Sequence, residues 1–127
     1  MKALVFLLLA AALALSAADV NVSGKWSGSF SITRPDGTND DGTAYAVLKQ
    51  DGGQLTGTAG PDEDHQWTLD KGTVTGNKVA FEVKSAEDGT IFKCDLVLDG
   101  DHLKGPISAT APDGQVLAAK VDFSRVK

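Results

Sequence analysis

The stretch FKCDLVLDGDHLKG, residues 92–105, decides how this chain is read. Phe92, Cys94, Leu96 and Leu98 fall on every second position, the period of a half-buried strand whose successive side chains point to opposite faces. Asp99-Gly100-Asp101 then interrupts the run. Glycine takes the positive φ of a tight hairpin turn at little cost, and aspartate tolerates it. Leu103 and Gly105 resume one face beyond the break. Strand, tight turn and strand make an antiparallel hairpin.

The same hairpin stands 48 positions earlier. Leu48-x-Gln50-Asp51-Gly52-x-x-Leu55-x-Gly57 aligns with Leu96-x-Leu98-Asp99-Gly100-x-x-Leu103-x-Gly105. Two copies are too few for a solenoid, but they suit two similar hairpins set around one closed sheet. Working outward, Trp26, Gly28, Phe30 and Ile32 share a face, with Lys25, Ser27, Ser29, Ser31 and Thr33 on the other. Further runs cover 43–50, 54–59, 65–70, 78–84, 90–98, 102–109 and 115–125. In the second run both Ala44/Ala46/Leu48 and Tyr45/Val47 offer an apolar face, and the alanine face is taken as inward. Pro35-Asp36-Gly37, Asp40-Asp41-Gly42, Thr75-Gly76-Asn77, Asp88-Gly89 and Pro112-Asp113-Gly114 punctuate the runs. No sustained helical period lies beyond the first residues, so the strands pair as an antiparallel meander.

The expected fold class is therefore all-β, an antiparallel meander of about eight strands closed into a small barrel. An open meander would leave two unpaired edges, and closure removes both. Eight strands leave an interior wide enough for side chains or one small ligand. Inward glycines at 28, 57 and 105 suit strongly coiled strands. A two-sheet sandwich is the competing arrangement.

Ahead of the barrel, Met1-Lys2 is followed by an uncharged run from Ala3 to Leu15. One positive charge and an apolar run too short for a membrane span, which takes about 20 residues, read as a secretory signal peptide. Small residues allow cleavage after Ala18 or Ser16. The expected division is residues 1–18 as signal and 19–127 as the barrel domain, secreted or periplasmic. Removing Lys2 with the leader leaves 11 basic against 17 acidic side chains, a net charge of −6. That balance, with no basic cluster, argues against nucleic acid and against anionic membrane surfaces once the signal is removed. Cys94 is the only cysteine, so no internal disulfide is available and the core must supply stability. Its place on a strand's apolar face reads as a small buried hydrophobe.

Gly24-x-Trp26 at the head of the first strand resembles the Gly-x-Trp start of lipocalins and avidin-like proteins. Phe123-Ser124-Arg125 resembles the closing strand of the same superfamily, the calycins, and Leu55-Thr56-Gly57-Thr58 is similar to an avidin strand motif. The chain also resembles short exported bacterial domains of unknown function with repeated Gly-x-Leu-x-Gly hairpins. The resemblance implies that Arg125 lies across Trp26 and closes one end of the barrel. It does not bring a biotin site, because only Trp67 is left to serve as a second cage tryptophan. Nor does it bring the long lid and disulfides of a roomy lipid carrier.

Signals for chemistry are weak. His65 follows Asp62-Glu63-Asp64 and His102 follows Asp99-Gly100-Asp101, both reading as turn or strand-start residues. No metal-ligand spacing is present, and an EF-hand loop begun at Asp36 would put Asp41 and Val47 where glycine and glutamate are needed. No catalytic residue, metal or cofactor is expected. The expected function is a non-enzymatic module holding a small apolar or amphipathic molecule, with Tyr45, Trp67, Phe92 and the 35–42 loop as contacts. A pocket of about 300 Å3 or more is expected if Ala46, Gly57, Ala59 and Gly105 face inward with nothing bulky across from them. The alternative is an interaction or inhibitor-type module that engages another exported protein through Asp19–Ser23 and the mouth loops.

Overall fold

The computed structural model describes residues 21–127; the leader and its cleavage site lie outside the described residues. Eight strands follow in order: β1 (Gly24–Thr33), β2 (Asn39–Asp51), β3 (Gln54–Asp62), β4 (His65–Thr75), β5 (Lys78–Lys84), β6 (Ile91–Asp99), β7 (His102–Thr110) and β8 (Val116–Arg125). Each pairs antiparallel with the next, and β8 returns to β1, closing a barrel. The seam is continuous from Trp26↔Arg125 to Thr33↔Ala118, so neither terminal strand presents a free edge.

Alternation places the core. Trp26, Leu48, Leu55, Val79, Leu96 and Leu103 are each at most 3 % exposed and pack in the half of the barrel where β1 begins and β8 ends. The repeated hairpins β2–β3 and β6–β7 both turn at this end. Their likeness extends to the backbone. A Cβ on Gly57 would fall 2.0 Å from the carbonyl oxygen of Val47, and one on Gly105 would fall 2.3 Å from that of Asp95, the equivalent position. At Gly28 a Cβ would meet the Asp122 carbonyl oxygen at 1.8 Å. These glycines therefore relieve crowding against a neighbouring strand's backbone, not against side chains filling the lumen.

Trp26 anchors the closed end. Its indole N–H donates to the Val22 carbonyl at 3.0 Å, and Val22 is itself wholly buried. The Arg125 guanidinium lies over the ring, 4.4 Å from its centroid. Its fork donates to the carbonyls of Ser23 at 3.0 Å and Asn21 at 2.9 Å. The Val22 amide donates to the Gln50 side chain, and the Gln50 amide donates to the Ser23 hydroxyl. Asn21–Ser23 is thus laced across the barrel end by polar contacts to β2 and β8.

Three features depart from the sequence expectation. First, β2 begins at Asn39, so Asn39–Gly42 is strand and the connection shrinks to 34–38. This hairpin extension is exposed and held by an Arg34–Asp40 ion pair and by the Arg34 amide on the Thr38 carbonyl. It is too short and too paired to fold over the mouth as a lid. Second, β4 runs past Asp70 to Thr75 through a bulge. Lys71, at φ 54°, is the extra residue, and it shifts the inward set from Trp67 and Leu69 to Val74. That break in parity hides the strand's second half from a period-two reading. Third, β3 bulges at Gly60–Pro61 against β4, a position that tolerates the missing proline N–H.

Candidate functional site

At the other end, where β4 and β6 begin, the lumen is not filled. A cavity of about 140 Å3 lies there. On one side stand the rings of Phe30, Trp67, Phe81, Phe92 and Phe123, with Val83, Cys94 and Ile107 between them. The opposite wall is built from the small residues Ala44, Ala59 and Gly60, with Thr43 and Pro61 at the rim. The cavity exists because rings on β1, β4, β5, β6 and β8 face alanines and glycine on β2 and β3. The β3 bulge brings Gly60 and Pro61 into the same wall.

Phe30, Trp67 and Phe92 are half-buried and so frame the mouth, whereas Phe81 and Phe123 are buried beneath it. Phe30 and Phe92 meet edge to face, with centroids 6.0 Å apart at 80°. Thr43 borders the rim with its side chain on the outer face, as for Tyr45, where its hydroxyl donates to the Pro61 carbonyl at 2.8 Å. Burial pushes the Cys94 thiol up to about 12, with Asp95 adding to the shift. It is therefore a neutral lining group and not a nucleophile.

Of the expected contacts, Trp67 and Phe92 line this cavity, whereas Tyr45 and the 35–42 segment do not. Ala44 and Ala46 are buried on either side of Tyr45, so alternation turns its ring to the outer face. The cavity is also less than half the expected volume. Ala46, Gly57 and Gly105 belong to the half packed by Trp26 and the leucines, which leaves only the Ala59 end open. Phe81 and Phe123 were legible as inward-facing residues. That they share a wall with Trp67 was not.

The two histidines sit at opposite ends of the barrel, His65 beside the β3–β4 turn and His102 beside the β6–β7 turn. His65 Nδ1 is 2.7 Å from Asp62 and its Nε2 is 3.9 Å from Glu87. The bond to Asp62 raises the imidazole pKa above 6.5 and lowers that of the carboxyl. His102 has Asp122 at 3.0 Å and the Ser124 hydroxyl at 3.4 Å, both on Nδ1. A relay needs the hydroxyl and the carboxylate on different ring nitrogens, so this exposed cluster does not activate Ser124. Among the described residues no three His, Cys, Asp or Glu side chains converge as a metal site.

Fold and cavity together define a closed eight-stranded antiparallel β-barrel with one end packed and the other hollow. The chain is similar in structure to Rv2717c from M. tuberculosis, with a TM-score of 0.51 and 17 % identity over 91 % of this chain and 96 % of that one. A protein of unknown function from the DUF3598 family of Nostoc punctiforme aligns with a TM-score of 0.49 and 17 % identity, over 83 % of this chain and 48 % of its own. The first likeness concerns the fold alone. No family model matches the chain, and no curated protein matches it.

Proposed function

We propose that this chain is an exported, non-enzymatic barrel of calycin type that holds one small apolar molecule in its open-end cavity. The observation that carries the reading is the cavity itself, about 140 Å3, walled by apolar side chains and reached past three half-buried rings. Burying apolar ligand surface contributes about 25 cal/mol per Å2, and this wall asks for little polar matching in return. Export rests on the charge and apolar run of residues 1–18. The calycin assignment rests on Gly24-x-Trp26 and on Arg125 over the Trp26 ring.

An interaction module working through its N-terminal arm has less support. Val22 is wholly buried and Ser23 is bonded to Gln50 and Arg125, so that part of the arm is already committed; residues 19 and 20 lie outside the described residues. The binding reading is tested on protein purified from its own host. Solvent extraction and mass analysis should recover a stoichiometric apolar molecule from the wild type and none from Ala59→Leu, which fills the cavity. Equal background from both proteins would refute it.

A further inference from the structure

We infer that the occupant of the open-end cavity is a compact, uncharged ring system, toluene- to indole-sized, and not a fatty chain or a carboxylate. The inference rests on the binding reading above and narrows it. Volume is the first argument. An apolar protein cavity of about 150 Å3 accepts benzene, and this one is about 140 Å3. A single ring fills it, and a second fused ring reaches the rim.

Depth is the second. Below the buried rings of Phe81 and Phe123 the lumen is occupied by Trp26, Leu48, Leu96 and Leu103, each at most 3 % exposed. An alkyl chain has no channel to thread and would leave most of its length in water. Wall chemistry is the third. No lysine, arginine or histidine lines the cavity, so a carboxylate would be desolvated with no cation to pair with. Five rings from five strands instead offer faces and edges, the arrangement in which aromatic pairs gain beyond their buried area. Thr43 shares the outward parity of Tyr45, and its exposed hydroxyl donates to the Pro61 carbonyl away from the lumen. An N–H or O–H on the ring must therefore point out of the open mouth to water. Entry lies beside the Phe30–Phe92 pair, whose side chains are only half-buried.

The test is an NMR titration of the 15N-labelled barrel with toluene, indole, octan-1-ol, octanoate and benzoate. Toluene and indole should saturate, shifting amides around Val83, Phe92 and Ile107, at least tenfold more tightly than octan-1-ol. Octanoate and benzoate should not saturate. Ala59→Leu should weaken toluene at least tenfold while still unfolding cooperatively. Should that variant fail to fold, the position of the shifted amides in the wild type locates the site alone. Octan-1-ol or octanoate binding as tightly as toluene at the same amides would overturn the ring inference and leave the binding reading standing. If no probe saturates, both fall.

Discussion

Replacing Arg125 by alanine should cost this barrel about 2–3 kcal/mol. The guanidinium stacks 4.4 Å from the Trp26 centroid, a contact contributing about 0.5–2 kcal/mol according to how far it is desolvated. Its side chain is 26 % exposed, so the contact belongs in the middle of that range. The two bonds to Ser23 and Asn21 add about 0.5–1.5 kcal/mol each. They hold the same short segment, so the contributions overlap and do not simply add. For a domain near 100 residues each kcal/mol moves Tm by about 4–8 °C, which puts the fall at roughly 10–20 °C. Arg125→Lys keeps a cation over the indole but loses the planar fork, and should fall about midway. Urea unfolding, followed by tryptophan fluorescence in a Trp67→Phe background so that Trp26 alone reports, measures both. A loss below about 0.5 kcal/mol, the range of an ordinary surface change, would refute the view that Arg125 straps the barrel end.

Three further outcomes are expected. Gly28→Ala sets a methyl carbon 1.8 Å from the Asp122 carbonyl oxygen on the seam strand; backbone cannot yield as a side chain can, so a loss of about 3 kcal/mol or more is expected in chemical denaturation, and a near-neutral variant would show the seam to be looser. The Cys94 thiol, raised to about 12 by burial, should react with Ellman's reagent only as the chain unfolds. Because its folded pKa lies above the unfolded one, its contribution is complete below about pH 9 and fades as pH climbs toward 12, so Cys94→Ala should flatten the alkaline stability curve; rapid reaction of the native thiol would contradict its burial. NMR titration should put the His65 pKa above 6.5, its stabilising effect present below that value and lost as pH rises through the folded pKa. Asp62→Asn should bring it down, and an unchanged value would dissociate the shift from that hydrogen bond.

Much of the fold was legible because its determinants are local. Alternation in Trp26–Ile32 and Phe92–Leu98 names the inward face of each strand, and the Asp-Gly breaks mark the hairpins. The hairpin echo carries over in full: Leu48, Leu55, Leu96 and Leu103 pack the closed end, and Gly57 and Gly105 meet equivalent carbonyls. Even the outward turn of Tyr45 was available from its two alanine neighbours, which made it an inconsistent choice of ligand contact. The second half of β4 was hidden because the bulge at Lys71 resets the parity that a sequence reader follows.

By itself, then, the sequence determined strand faces, turn positions and the first-to-last strand partnership that brings Arg125 to Trp26. Tertiary structure alone decided which end of the lumen is hollow and how large the hollow is. Side chains fill a barrel by layers, and a layer joins residues from distant strands at one height. Those heights are set by register, stagger and the two bulges, which bring five rings level with Ala44, Ala59 and Gly60. No local pattern in the chain encodes that coincidence.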